Sequence, residues 1–311
     1  MHLGDVWTSI RTAQYLWIVP GVAVYFFGVW ARTWRWDYLL RPIKKISIRR
    51  LFPVVVIGYM GNNIFPVRAG ELIRAFLLRE REEVAVSASL ATILVERVFD
   101  GLVMLMFVFI GLPFTPMPRW LQVMVIAASL LFFGALALFM TLAIKTEWAE
   151  ATYGWVIDHV LPVRIRAPVR DFADRFMTGL YALRSGRAVL MLFVTSVVIW
   201  LAETVKYWFV MHAFDFSVPF WVLMLMNGIV NLATTIPSSP GYVGTFDAPG
   251  IEILSLFGVD RALAASYTLV LHAALWLPIT LLGLWYMGRE SVSWRDVAQA
   301  DKSAQAEKST V

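Results

Sequence analysis

The chain has 311 residues, of which 59% are hydrophobic and only 16% charged, against roughly a quarter charged in an ordinary soluble domain. Its apolar residues gather in uncharged blocks at 120–144, 216–246 and 262–288, each long enough for the ~20 helical residues that cross a bilayer, which excludes a single soluble core. With no cysteine there is no disulfide, thiolate metal site or cysteine nucleophile. The net charge of +5 suits loops against anionic lipid headgroups better than nucleic acid.

In chain order, residues 1–12 read as a short amphipathic lead-in without signal-peptide features. A first span covers 13–31. Residues 32–50 are basic (Arg32, Arg35, Arg41, Lys44, Lys45, Arg49, Arg50) with Trp34, Trp36 and Tyr38 interleaved, the pattern of a cytoplasmic interface belt. Residues 51–67 are apolar but short, and end in the stretch 61–71, which holds Asn63, Pro66, Arg68, Gly70 and Glu71. Here a helix should break at membrane depth, and a second short helix over 70–81 should lead the charges of 79–83 back to water. The expected shape is a re-entrant hairpin entered from the cytoplasm.

A long helix over 84–112 carries Glu96, Arg97 and Asp100; Glu96 and Asp100 are four apart and share a face. Residues 113–119 form an external turn, and 120–144 cross back. The polar, basic stretch 145–187 reads as a helical cytoplasmic linker on the membrane surface. Residues 188–212 cross outward with Glu203 and Lys206 three apart. Residues 219–257 repeat the hairpin pattern, with an apolar helix, a break over 237–244 and a short return; 261–288 make the last crossing. The tail 289–311 is polar and of disordered composition. This topology puts most of the 27 lysines and arginines inside and only Arg11, Arg119 and Arg261 outside, as the positive-inside rule requires. The N-terminus then lies outside and the C-terminus in the cytoplasm.

The expected fold is therefore an all-α integral membrane protein. It is a polytopic helical bundle, a single transmembrane unit over 1–288, with two oppositely oriented re-entrant, broken-helix hairpins in an inverted repeat. Half one is 13–112 and half two 188–288. Discontinuous helices at corresponding places in two inverted halves point to a transport site.

Arg68, Glu71, Glu96, Arg97, Asp100, Glu203, Lys206 and Asp247 would be costly in hydrocarbon, at about 2.5–3.5 kcal/mol each on insertion scales. They nearly balance in charge, so a packed structural network explains them in part, above all the local pair Glu203–Lys206. Arg68, Glu71, Glu96, Arg97 and Asp100 come from a break and a neighbouring helix, and can converge on one cavity. Free amide groups at a half-helix start, with Arg68 beside them, suit a phosphate or carboxylate. Asn63 and Asn231 flank the two breaks, and Pro240, Gly241 and Gly244 shape the second. His272, alone in an uncharged span, reads first as hydrogen-bonded packing and second as a proton relay. No metal cluster, nucleotide-binding motif or hydrolase motif is present, and no cofactor is implied.

Three ordered elements carry a resemblance: N-x-x-P-x-R-x-G-E (Asn63, Pro66, Arg68, Gly70, Glu71), V-E-R-x-x-D (Val95, Glu96, Arg97, Asp100) and P-x-x-P-G-x-x-G with a following carboxylate (Pro237, Pro240, Gly241, Gly244, Asp247). Together, over residues 15–288, the chain resembles the lysylphosphatidylglycerol synthase transmembrane, or flippase-like, family. The resemblance implies a multi-pass protein of the bacterial cytoplasmic membrane that moves or handles lipids, without the aminoacyl-transfer domain. The family commonly has a further span before the first one read here, and glutamate where this chain has Asp247. The expected function is translocation of an anionic or sugar-bearing lipid (a phospholipid, glycolipid or hopanoid). Two alternatives stand beside it: an accessory protein presenting lipid to a separate envelope-biosynthesis enzyme, and an intramembrane transferase using Glu96 or Asp100. The expected partners are membrane lipids and such an enzyme, with no nucleic acid.

Overall fold

The computed structural model describes residues 3–65, 69–115, 118–235 and 239–289, and among these it is helical with no strand. A short helix α1 (Leu3–Thr12) precedes α2 (Ile18–Leu40). The paired helices α3 (Ile48–Ile64) and α4 (Gly70–Glu82) follow, then α5 (Val86–Gly111) and α6 (Arg119–Ile144). Two polar helices, α7 (Thr146–Val160) and α8 (Val163–Gly179), lead to α9 (Gly186–Met211). The chain continues through α10 (Phe220–Ala233), α11 (Asp247–Leu256) and α12 (Arg261–Arg289). By length and composition, four segments can cross a membrane: Tyr15–Leu40, Arg119–Ile144, Gly186–Met211 and Arg261–Arg289. The protein is a multi-pass membrane protein. Helix α5 is as long as α6, but Glu96, Arg97 and Asp100 interrupt its apolar surface.

The interruption in the first half has a local cause. Phe65 is extended (φ −96°, ψ 147°), and it precedes Pro66. The proline ring crowds the residue before it out of the helical region, so α3 must stop there. The chain resumes at Gly70 and runs back along α3. A Cβ on Gly58 would meet the side chain of Arg74, and one on Gly61 would meet Ile73 and the backbone of Gly70. Small residues on both helices thus let the backbones close to near contact, as in other packed membrane helices. Pro66 and Arg68 lie outside the described residues.

The second interruption uses the same chemistry with more glycine. Ser239 is extended ahead of Pro240, while Gly241 (φ 68°) and Gly244 (φ 85°) take the left-handed conformation that only glycine adopts freely. Helix α11 then packs back on α10, with Gly250 against Met226.

The bundle holds two main apolar cores. One is built around α5, α9, α10 and α12, with Val103, Phe107, Leu225 and Tyr267 at its heart. The other joins α2, α3 and α4 around Trp36, Ile57, Met60 and Ile73. A smaller cluster seats α8 beneath α5, where Gly179 lies directly on Ala88 and Ala91.

One segment departs from its expected reading. Helix α2 does not end near residue 31 but runs on to Leu40, carrying Arg32 and Arg35 into the bundle rather than onto a surface belt. Both are buried, and Arg35 is fully inaccessible. Their charge is tolerated because carboxylates on α5 and α9 meet it, as described below.

A Cβ at Gly70 would collide with the Gly58 carbonyl, whereas one at Gly134 meets nothing within 4 Å. Gly70→Ala should therefore lower stability by about 1–3 kcal/mol through overpacking. Gly134→Ala should be neutral or gain up to about 1 kcal/mol of helix propensity. Thermal unfolding of the detergent-solubilised variants distinguishes them, and equal midpoints would mean that the α3–α4 contact does not hold the pair together.

Candidate functional site

Helices α2, α4, α5 and α9 meet in a buried ionic network. Arg35 grips Asp100 through two bonds, Nη1 to Oδ1 at 2.6 Å and Nη2 to Oδ2 at 3.0 Å, and its Nε lies 3.5 Å from Glu96 Oε1. Arg74 Nη2 donates to Glu96 Oε2 at 3.0 Å, with its guanidinium 4.1 Å from the centre of the Trp36 ring. Trp200 Nε1 donates to Asp100 at 2.9 Å, and Arg97 reaches the same carboxylate at 3.4 Å. A forked guanidinium–carboxylate pair with its remaining acceptors also filled is the arrangement that makes buried charge tolerable.

A second network lies beside it. Glu203 is held by Lys206 one turn away and by Arg32 at 3.5 Å. Arg32 sits over the Trp200 ring, and the Lys206 ammonium is flanked by Tyr25 and Tyr207 at about 5 Å, favourable cation–π positions. Asn227 and Asn231 continue the polar line along α10, bonded to each other and to Thr204.

The two networks and both helix interruptions border one cavity of about 130 Å³. Asn62 and Asn63 come to it from the first break, and Asn231, Thr234, Gly241 and Tyr242 from the second. Arg32, Arg97 and Glu203 supply charge, while Tyr25, Tyr59, Trp200, Phe246 and Trp276 supply aromatic wall. Among the described residues that line it, the cations Arg32 and Arg97 outnumber the carboxylate Glu203. The Nε of Arg97 has no partner among the described residues, although it is buried and its side chain reaches the cavity wall.

Helix α12 clasps both breaks. Asn63 donates to the Trp276 carbonyl at 3.2 Å and to Thr280 Oγ1 at 2.9 Å, and Trp276 Nε1 donates to the Asn63 carbonyl at 3.3 Å. One turn earlier, His272 contacts Asp247 Oδ1 at 2.8 Å through Nδ1 and the Gly241 carbonyl at 2.7 Å through Nε2. Asp247 in turn accepts from the Gly244 amide at 2.9 Å. At the start of α4, the Gly70 amide donates to Asn62 Oδ1 at 2.8 Å. Protein acceptors thus already occupy one exposed amide at each half-helix start.

The structure brings Asn63, Arg97, Asn231, Gly241, Glu203 and His272 to the cavity wall. Asp100, Lys206 and Asp247 stand behind that wall as partners of Arg97, Glu203 and His272 on it, and Glu96 lies one layer further back, paired with Arg35 and Arg74. Gly70 serves the α3–α4 contact, and Glu71 is half-buried beside Asn62, 3.5 Å from its amide. Pro240 borders an adjoining groove, and Gly244 faces open space. Sequence reasoning missed Arg32, Arg35, Arg74, Trp200 and Trp276. Arg32 and Arg35 did carry a signal, being three apart and so on one face of a helix continuous with an apolar span. No group of metal-ligating side chains occurs among the described residues.

The family described as Lysylphosphatidylglycerol synthase TM region matches residues 1–283. A UPF0104 membrane protein of Methanothermobacter thermautotrophicus is 23% identical over 295 residues, covering 90% of this chain and 87% of the relative. A UPF0104 membrane protein of Methanocaldococcus jannaschii is 21% identical, covering 80% of this chain and 77% of the relative. Glycosyltransferase AglD of Haloferax volcanii is 25% identical over 86% of this chain and 47% of its own length. No solved structure matches the chain.

The ionic network sets a test of its own. Asp100→Leu strands the Arg35 charge and should cost about 3–5 kcal/mol, the usual penalty for removing one member of a buried pair. Adding Arg35→Met should recover a large part of that loss. Thermal unfolding of the single and double variants measures the coupling, and strictly additive losses would refute the pairing as a unit.

Proposed function

Because this chain belongs to the lysylphosphatidylglycerol synthase TM region family, we propose that it translocates a lipid with an anionic or sugar-bearing headgroup across the cytoplasmic membrane. The observation that carries this reading is the single cavity onto which both helix interruptions, Arg97 and the Glu203 network open. Non-helical backbone at membrane depth is tolerated only where it faces protein or a polar cavity. In this reading α3–α4 and α10–α11 are re-entrant hairpins entering from opposite faces, related as halves of an inverted repeat, and α5 crosses the membrane between them.

The excess of positive charge on the cavity wall, Arg32 and Arg97 against Glu203, supports an anionic headgroup. The Arg97 guanidinium, with Nε free among the described residues, is its natural phosphate ligand there. Arg68, outside the described residues, is the cation that the sequence offers for the same role from the first break. The aromatic wall suits the apolar faces of a sugar ring. The fixed pairs Arg35–Asp100 and Arg74–Glu96 would hold the cavity's shape rather than contact the headgroup. No site residue is assigned a catalytic role and no cofactor is required. The cytoplasmic face is the one carrying α7 and α8, where the exposed Arg164, Arg170 and Arg175 of α8 fit an anionic leaflet.

The match to Glycosyltransferase AglD, confined to 47% of that protein, favours a second reading in which the chain presents lipid to a separate transferase. Vesicles containing the purified protein and a fluorescent phosphatidylglycerol or glycolipid separate the two. A translocator accelerates movement of the probe between leaflets, and Arg97→Ala should slow it by roughly 10- to 100-fold, the value of a charge-assisted hydrogen bond, with folding unchanged. A wild-type protein that binds these lipids without accelerating their movement would leave only the presenting role.

A further inference from the structure

The cavity has a neighbour. A groove lined by Ile64, Pro240, Val243, Leu269 and Ala273 opens on the bundle's flank, and Val243 and Leu269 are 67% and 45% exposed. Four residues line both spaces, Asn63, Gly241, His272 and Trp276, so they form the partition between them. The partition is closed by hydrogen bonds already described: Asn63 to Trp276 and His272 to the Gly241 carbonyl.

The proton count at His272 follows from its partners. A carbonyl can only accept, so Nε2 carries a hydrogen toward Gly241. Nδ1 then faces Asp247 Oδ1 at 2.8 Å. A neutral imidazole and an ionised carboxylate would present two acceptors to each other at that distance. The contact therefore holds one additional proton, whether it resides on nitrogen or on oxygen. Losing it to water sets a lone pair against a carboxylate. The pair must then open, or the ring must turn and release Gly241.

We propose that the His272–Asp247 pair is a proton-binding site that latches the partition between groove and cavity, and that the proton is the coupling ion of transport. With the proton bound, the Gly241 turn is fixed against α12 and the cavity is shut from the groove. With the proton released to water, the turn is freed and a lipid whose chains lie in the flanking groove can pass its headgroup into the cavity. Among the described residues, the other charged or titratable groups that line the cavity are Tyr25 and Arg32 of α2, Tyr59 of α3, Arg97 of α5, Glu203 of α9 and Tyr242 beside Gly241. On α11 the remaining carboxylate, Glu252, is engaged by Arg261. Arginine stays charged throughout, tyrosine titrates far into the alkaline range, and Glu203 is already held by two cations. Histidine is the side chain among these types whose ordinary titration falls near neutrality.

The coupling role rests on the translocator reading, but the latch can be read without any transport. The chain has no cysteine, so Thr234→Cys places a lone thiol on the cavity wall. A maleimide carried on an acyl chain, dissolved in phosphatidylglycerol–phosphatidylethanolamine vesicles holding the protein, reaches that thiol from the lipid side. Labelling rates are taken between about pH 5.5 and 8, across the ordinary histidine range. Each is divided by the rate for the same cysteine beside His272→Gln, which cancels the thiol's own titration. The ratio should rise by at least about tenfold across the range, since one proton changes the open fraction by up to about tenfold per pH unit. A ratio that stays constant over this range overturns the latch. If the His272→Gln protein fails to assemble, Asp247→Asn serves as the reference with the same two outcomes. Fluorescent-lipid movement in the same vesicles then tests the coupling: a wild-type rate that varies with pH and a His272→Gln rate that does not would support it, and equal pH profiles would overturn it. A pH-dependent labelling ratio in vesicles where no lipid moves would uphold the latch and sink the translocator reading instead.

Discussion

Charge buried in an apolar bundle has to be answered by charge from the same bundle, and this constraint sets the relative placement of four helices. Arg35 of α2 and Arg74 of α4 approach from different sides to two carboxylates one turn apart on α5. Removing α5 would leave Arg35 and Arg74 without their carboxylates, and removing α9 would leave Arg32 without Glu203, in a medium that solvates ions poorly. The apolar cores on either side supply packing but little direction, since lipid tails are as apolar as leucine and give helices no hydrophobic reason to associate. The ionic network is thus what makes one arrangement of otherwise interchangeable apolar helices preferred over the others.

The two helix interruptions depend on a different economy. Each frees backbone groups that must find partners away from water. Asn62 caps the start of α4, Asp247 caps its own turn, and α12 serves both breaks with side chains one turn apart, His272 to the second and Trp276 to the first. Helix α12 is therefore more than a crossing segment. It is the element against which two irregular stretches, far apart in sequence, are held in register around a common space.

This arrangement joins a rigid wall to a releasable one. The wall of α2, α5 and α9 is fixed by multiple ion pairs. The wall of α12 and the second break is fixed by a few hydrogen bonds to backbone carbonyls, which break at far lower cost than a forked salt bridge. The translocation proposed for this cavity would use that asymmetry, because one side must keep its shape while the other admits and releases a ligand.

Much of the architecture follows from local sequence. Uncharged runs of crossing length mark the apolar helices, Pro66 and Pro240 force extended backbone before them, and Gly241 and Gly244 permit a turn that other residues would resist. Those effects act within a few residues, so they are readable from the chain alone, as was the local Glu203–Lys206 pair. The fate of Arg32 and Arg35 was not readable in this way. In isolation, arginines among tryptophans at the end of an apolar run look like an interface belt. Only the presence of Glu203 and Asp100 at matching depth on helices more than sixty residues away makes their burial favourable. The convergence of the two breaks on α12 is likewise a tertiary result, because hydrogen bonds between residues over two hundred positions apart, such as Asn63 and Trp276, leave no periodicity for sequence to display.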